Sequence, residues 1–279
     1  MNLILVCVGT FQEYILDNIE QLIRLHIDPI YVITNRGFFN RFHMYNGRIQ
    51  LIDADELRDE YQFYTKTSLD KSFRDGFWAL ASMRFFYIYA AVKSLGLTDC
   101  IHIENDVLLF YPIEVLKHCF TRDKIYLPFD TFERNIASIM YIPNADIFKR
   151  VLDCYQMSKN DMENFAHIKR VTALIENFPI YPKEAASTVE EQFVSENYPE
   201  FGYLFDAAAI GQYIGGIDPR NSPGDTRGFV NETCVIKYNK HVIYAKDIDH
   251  MKKPFINIHG KEYPIFNLHI HSKKLRLFM

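Results

Sequence analysis

The chain has 279 residues, 48% of them hydrophobic and 15% aromatic, with 31 basic against 35 acidic side chains and a formal net charge of −4. That apolar content excludes a disordered or low-complexity chain. The slight acidic excess excludes a protein held to nucleic acid by bulk charge, so a charged substrate must be gripped by a local site.

Leu3–Val8 is a continuous apolar run closed by Gly9-Thr10, the pattern of a parallel strand buried on both faces. It is too short for a signal-peptide core or a membrane span, and no basic residue precedes it, so no membrane span is expected. Ile15, Ile19, Leu22 and Ile23 recur at helical spacing over Glu13–Leu25. Pro29–Thr34 and Arg48–Ile52 read as the second and third strands. Asp53 and Asp55 then read as the cap and first-turn acid of a helix over Glu56–Tyr61. Trp78–Leu95 is helical, with Gly96 as its C-terminal cap. Cys100–Glu104 is a short strand running into Asn105-Asp106, and Lys124–Pro128 and Ala137–Ile142 read as two more. Phe148–Met157 and His167–Glu176 read as helices. From Pro179 to Pro264 proline and glycine are frequent and turns dominate, and Tyr263–Leu277 closes the chain as a strand with a basic tail. The alternation predicts an α/β fold: one domain over 1–279, built on a doubly wound, mixed, mostly parallel sheet flanked by helices. Five scattered cysteines, Cys7, Cys100, Cys119, Cys154 and Cys234, contain no Cys-x-x-Cys pair. They fit neither a disulfide framework nor a zinc site, and are expected as reduced thiols of a cytoplasmic protein.

Three stretches carry candidate chemistry. Ile101-His102-Ile103-Glu104-Asn105-Asp106 sets two carboxylates where an apolar strand stops, and ligands of open α/β sheets sit beyond the carboxyl ends of strands. Mg²⁺ or Mn²⁺ takes one or two carboxylates and completes its shell with phosphate oxygens and water. Acid-x-acid pairs also occur at Asp53/Asp55, Asp161/Glu163 and Asp247/Asp249, so spacing alone singles out none of them. In Asn267-Leu268-His269-Ile270-His271-Ser272-Lys273-Lys274, strand alternation would point His269, His271 and Lys273 one way. Imidazoles there could complete a metal shell and the ammonium could neutralise a diphosphate. The plain alternative is an edge strand with a solvated basic end. Between these motifs, Asp206 is either a general base or the N-cap of a helix over Ala207–Tyr213, and Glu232 is a second acid.

Arg84-Phe85-Phe86 in a helix, followed by His-Ile-Glu-Asn-Asp-Val from His102, resembles the donor-site region of GT-A glycosyltransferases. The His-x-His-x-Lys end is similar to a shortened form of the His-to-Lys motif that closes the glycogenin-like group, with different spacing and no Lys-Pro-Trp ending. The resemblance implies a single GT-A-type domain that moves a sugar from a nucleotide-sugar, UDP being the commonest nucleotide, to a carbohydrate or glycoconjugate acceptor. Residues 1–142 would bind the nucleotide-sugar. Residues 143–279 would form an irregular acceptor side and the C-terminal metal and phosphate strand. Asp106 with His271 or His269 would hold Mn²⁺ or Mg²⁺. Glu104 and Asn105 would contact the donor, Arg84 the diphosphate or base, Thr10 the nucleobase and Lys273 the phosphates. Asp206 or Glu232 would stand at the reacting sugar, with Ala137-Ser138 beneath it. The likeness is greatest to soluble members from bacteria and large DNA viruses and brings no substrate with it. A nucleotidyltransferase or metal phosphohydrolase is the second reading, although no Gly-rich phosphate loop follows the first strand, and a non-catalytic nucleotide- or sugar-binding module is the third.

Overall fold

The structure, a computed structural model, describes residues 1–74, 76–221 and 228–279. The strands among them are β1 (Asn2–Cys7), β2 (Ile30–Thr34), β3 (Gln50–Asp53), β4 (Cys100–Ile103), β5 (Val107–Leu109), β6 (Ile125–Pro128), β7 (Ile139–Ile142), β8 (Ile175–Phe178), β9 (Val242–Ile248), β10 (Met251–Ile258), β11 (Lys261–Pro264) and β12 (Asn267–His269). The α-helices are α1 (Tyr14–Arg24), α2 (Phe63–Lys66), α3 (Phe77–Leu95), α4 (Ala145–Asp153), α5 (Asp161–Val171), α6 (Val189–Val194), α7 (Tyr198–Phe201) and α8 (Ile210–Gly215).

Seven strands form the central sheet in the order β3-β2-β1-β4-β7-β6-β8, and β7 runs against its neighbours while the others are parallel. This is the mixed, mostly parallel α/β sheet expected from the sequence. Its apolar strands alternate between two cores. Leu3, Leu5, Ile101 and Ile103 face one, packed with Ile15, Ile19 and Leu22 of α1. Ile4, Ile33, Met140 and Ile142 face the other, packed with Phe85 and Ile88 of α3, Phe148 of α4 and Phe165 of α5. Strands buried on both faces read as unbroken apolar runs, which is why they were visible in the sequence. The sheet extends past residue 142, because β8 forms one of its edges.

After β4 the chain leaves the central sheet. Val107 N–H closes a turn onto Glu104 O at 3.0 Å, and β5 pairs antiparallel with β12, His269 standing opposite Val107. A separate antiparallel sheet, β11-β10-β9, packs Ile256, Ile258 and Tyr263 into the first core.

Several boundaries differ from the sequence reading, each for a reason in side-chain hydrogen bonding. No helix forms over Glu56–Tyr61. Asp55 instead accepts from Asn35 Nδ2 at 2.7 Å and Arg36 N–H at 3.2 Å, and Asp53 pairs with Arg36. Asp53 Oδ1 also accepts from Asp55 N–H at 3.0 Å, so the acids close a turn here and no helix follows it. The α4 helix starts earlier than expected because Asn144 caps it, accepting from Ile147 N–H at 2.9 Å. Asn160 likewise caps α5. That helix ends at Val171, so the stretch read as its C-terminal part supplies β8, recruited by parallel pairing with β6. The C-terminal strand stops at His269, and α8 begins at Ile210. Among the described residues no helix is long and apolar enough to cross a membrane.

Candidate functional site

The acidic turn is aimed by its backbone. Glu104 N–H donates to Ser138 O at 2.9 Å. Asn18, fully buried on α1, donates its amide to Asn105 O at 3.1 Å, Val107 O at 3.0 Å and Glu104 O at 3.4 Å. The Asn105 side chain turns inward and donates to Val6 O at 2.7 Å and Gln12 Oε1 at 2.6 Å, so it ties the turn to the end of β1 instead of offering its amide to a donor. Held in this way, Glu104 and Asp106 meet the terminal motif. Ile270 N–H donates to Asp106 O at 2.8 Å, and His269 Nε2 lies 3.1 Å from Glu104 Oε2 and 3.3 Å from Asp106 Oδ2. One ligand atom from each of Glu104, Asp106 and His269 falls within 4.8 Å of the others.

The geometry of the His motif is not the strand face expected from alternation. Beyond His269 the backbone turns, with His271 N–H bonded to His269 O at 3.1 Å and Lys273 N–H to Ile270 O at 2.9 Å. Lys273 adopts φ 61° in the left-handed region. This turn sets the two imidazoles 4.1 Å apart between centroids and folds the Lys273 ammonium back onto Asp106. His271 Nδ1 is taken by Gln212 Nε2 of α8 at 3.0 Å. The histidine that stands with the acids is therefore His269, and Glu104 stands in the group that could hold an ion, which the sequence reading had confined to Asp106 and a histidine.

Charge is balanced locally. Arg84 pairs with Glu104 and, at 3.2 Å each, with Asp161 and Ala137 O. Three acids thus face Arg84, Lys273 and the His269 imidazole. Burial penalises the Asp106 carboxylate, but Lys273 and His269 outweigh it and hold its carboxyl well below the usual range. Burial also opposes charge on His269, yet Asp106 and Glu104 raise its pKa. His271, depressed by burial and then by His269, stays neutral. Burial pushes Asp161 up, and Arg84 only partly offsets it.

Two carboxylates and an imidazole form an oxygen-and-nitrogen donor set that suits Mg²⁺ or Mn²⁺. His269 fits such a role through Nε2, which is directed at both acids.

Asp206 takes the capping role. It is fully buried, and Oδ1 accepts from Ala209 and Ile210 N–H at 2.8 and 2.9 Å. Oδ2 accepts from Gly211 and His269 N–H, both at 2.8 Å. With four backbone donors and no exposed edge, this carboxylate has no lone pair to offer an acceptor hydroxyl. It straps α8 to β12 instead, and so positions His269. Gly211 makes that strap possible, since a Cβ there would lie 2.1 Å from His269 O. Glu232 is exposed on its turn, 3.6 Å from Lys237 Nζ. Thr10 is exposed at the end of β1, following Gly9, whose N–H donates to Asn35 Oδ1 at 2.9 Å.

Asn18, Asp161, Gly211 and Gln212 were not singled out as site residues from the sequence. Asn18 offered a signal: it interrupts the apolar face of Ile15, Ile19 and Leu22, and a buried amide on such a face must find partners. Asp161 belonged to one of the acid-x-acid pairs, and only its contact with Arg84 sets it apart.

No protein-family model matches the chain, and no curated protein matches it. Among solved structures, the apo form of mouse xyloside xylosyltransferase 1 aligns with 64% of this chain and 86% of its own, at 9% identity and a TM-score of 0.45. The apo form of the glycosyltransferase GlyE from Streptococcus pneumoniae TIGR4 aligns with 69% of this chain and 50% of its own, at 12% identity and 0.44. A nucleotidyl transferase from Methanothermobacter aligns with 72% of this chain and 93% of its own, at 9% identity and 0.41. Likenesses this distant carry neither substrate nor chemistry to this chain.

Proposed function

We propose that this chain is a metal-dependent glycosyltransferase of the GT-A type, moving a sugar from a nucleotide-sugar, UDP-sugars first, to a carbohydrate or glycoconjugate acceptor. The observation that carries the reading is the convergence of Glu104, Asp106 and His269, with Lys273 beside them, beyond the carboxyl end of β4. Motifs from the middle and the C-terminal part of the chain meet where open α/β sheets bind ligands.

Glu104, Asp106 and His269 would hold Mn²⁺ or Mg²⁺. Such an ion, when bound, offsets diphosphate charge and acts as a Lewis acid on the departing nucleotide. Lys273 supplies a further cation on the phosphate side. Arg84, committed to Glu104 and Asp161, keeps Glu104 aimed and is a positioning group more than a phosphate ligand. Asp206 holds the backbone of His269, and Asn18 holds that of the acidic turn. Thr10, exposed past the end of β1, offers the nucleobase side. The scattered free cysteines support a reducing, cytoplasmic setting.

Calorimetry with UDP, with and without Mn²⁺, followed by product analysis from UDP-sugars, tests the reading. Mn²⁺-dependent UDP binding and UDP release from a nucleotide-sugar are expected, and Asp106→Ala should lower both by about 100-fold or more. Full activity in that variant would move the metal site elsewhere. Pyrophosphate release from UTP in place of UDP release would mark a nucleotidyltransferase, and binding without turnover a binding module.

A further inference from the structure

Resting on the functional reading above for the identity of the anion, we propose that Lys273 is a place-holder cation: its ammonium occupies Asp106 until a diphosphate draws it away, so that metal and nucleotide bind this chain cooperatively.

Asp106 is buried, and its Oδ2 is shared by the Lys273 ammonium and by His269 Nε2 at 3.3 Å. One oxygen cannot keep both partners and also ligate a divalent ion, because the ion and the ammonium would repel at a shared atom. The other cation of the site is not free to yield. Arg84 projects from the regular helix α3, is nearly enclosed, and binds Glu104, Asp161 and Ala137 O together. Lys273 differs on each count. Its side chain is 25% exposed; besides Asp106 its ammonium lies 5.4 Å from the centre of the Tyr14 ring, and its charge also reaches Asp218. Its backbone sits at φ 61°, in the left-handed region that residues other than glycine seldom adopt, and is held there by the bond to Ile270 O. A lysine ammonium is a compact charge on a flexible stem, suited to following a phosphate. When a diphosphate takes it, Asp106 is released to the metal, and by linkage the metal tightens the nucleotide by the same factor.

The test is calorimetric titration of Mn²⁺ into the full chain and into Lys273→Met and Lys274→Met, each with and without UDP. UDP titrations at saturating Mn²⁺ complete the set. For the wild type, Mn²⁺ should bind about tenfold or more tighter with UDP present, an ordinary coupling factor. Lys273→Met should bind Mn²⁺ alone about tenfold tighter than the wild type and UDP about tenfold weaker, two effects of opposite sign that a merely structural residue would not produce. Lys274→Met removes the same charge from an exposed neighbour and should stay within about twofold on both, since exposed charges are screened. Lys273→Gln carries the same expectation should the Met variant fail to fold. Unchanged or weaker binding of Mn²⁺ alone to the Lys273 variants, or an equal effect of Lys274→Met, overturns the place-holder role while leaving Mn²⁺-dependent UDP binding intact. No Mn²⁺ binding by any form, even with UDP, overturns the functional reading and this role with it.

Discussion

Replacing Gly211 by alanine would put a methyl group 2.1 Å from His269 O, 2.7 Å from the carbonyl carbon of the same residue and 2.9 Å from Asp206 Oδ2. Non-bonded carbon contacts settle near about 3.5 Å, and backbone atoms cannot swing aside as a side-chain tip can. Helix α8 and strand β12 must therefore part by more than an ångström. Such overpacking costs about 1–3 kcal/mol. The same movement stretches the two bonds that Asp206 Oδ2 accepts from Gly211 and His269, and each hydrogen bond to a charged group contributes about 1.5–3 kcal/mol. Alanine's better helix propensity returns about 1 kcal/mol. A net loss of about 3 kcal/mol or more is expected, a large share of the stability of an ordinary domain. Urea unfolding followed by circular dichroism should show it as a lower midpoint with an unchanged slope. Because His269 moves with β12, Mn²⁺-dependent UDP binding should weaken as well. Gly215→Ala is the internal comparison: its Cβ would meet side-chain atoms, the ring of Phe278 at 3.0 Å and Ser272 Oγ at 3.8 Å, and a shift of the Phe278 side chain should limit the cost to about 1 kcal/mol. A loss below about 1 kcal/mol for Gly211→Ala would refute the close helix–strand contact, and with it the positioning role of Asp206.

Arg84→Met leaves Glu104 and Asp161 without their shared partner. Removing one member of a buried ion pair costs about 3–5 kcal/mol, and denaturant unfolding should show that loss. Asn18→Leu strips the donor from the backbone carbonyls of Asn105 and Val107. It should destabilise the chain by about 2–3 kcal/mol and weaken Mn²⁺-dependent nucleotide binding, whereas a stable variant with unchanged binding would show that the acidic turn holds itself. Alkylation with iodoacetamide at neutral pH, read by mass spectrometry, should label the exposed Cys154 first. Burial pushes the Cys7 thiol up to about 11 and those of Cys100 and Cys234 up to about 12, so these should stay unmodified until the protein unfolds. Rapid labelling of Cys234 in the native protein would contradict its burial.

The central sheet was readable from local pattern. Leu3–Val8, Pro29–Thr34 and Cys100–Glu104 are apolar runs because parallel strands are covered on both faces, and that burial acts on each segment without reference to its partner's identity. The amphipathic face of α1 and the glycine that ends α3 follow from the same local physics. The acids at the end of β4 and the histidines near the C-terminus were visible as types of residue in suggestive places.

Their division of labour was not visible. His269 stands with Glu104 and Asp106, while His271 turns to Gln212, because β12 ends where α8 and Asp206 grip it. Asp206 reads in the sequence as either a base or a helix cap, and in the fold it is a buried strap, since the N–H of the distant His269 joins the local N–H groups of Ala209, Ile210 and Gly211 on it. Asp53 and Asp55 look like a helix cap and instead bind Asn35 and Arg36 across neighbouring strand ends. In each case the decisive partner lies far along the chain. Hydrogen bonds and ion pairs of that kind exist only after the sheet has brought their segments together, so periodicity and spacing, which register what a segment needs, leave no trace of which distant group supplies it.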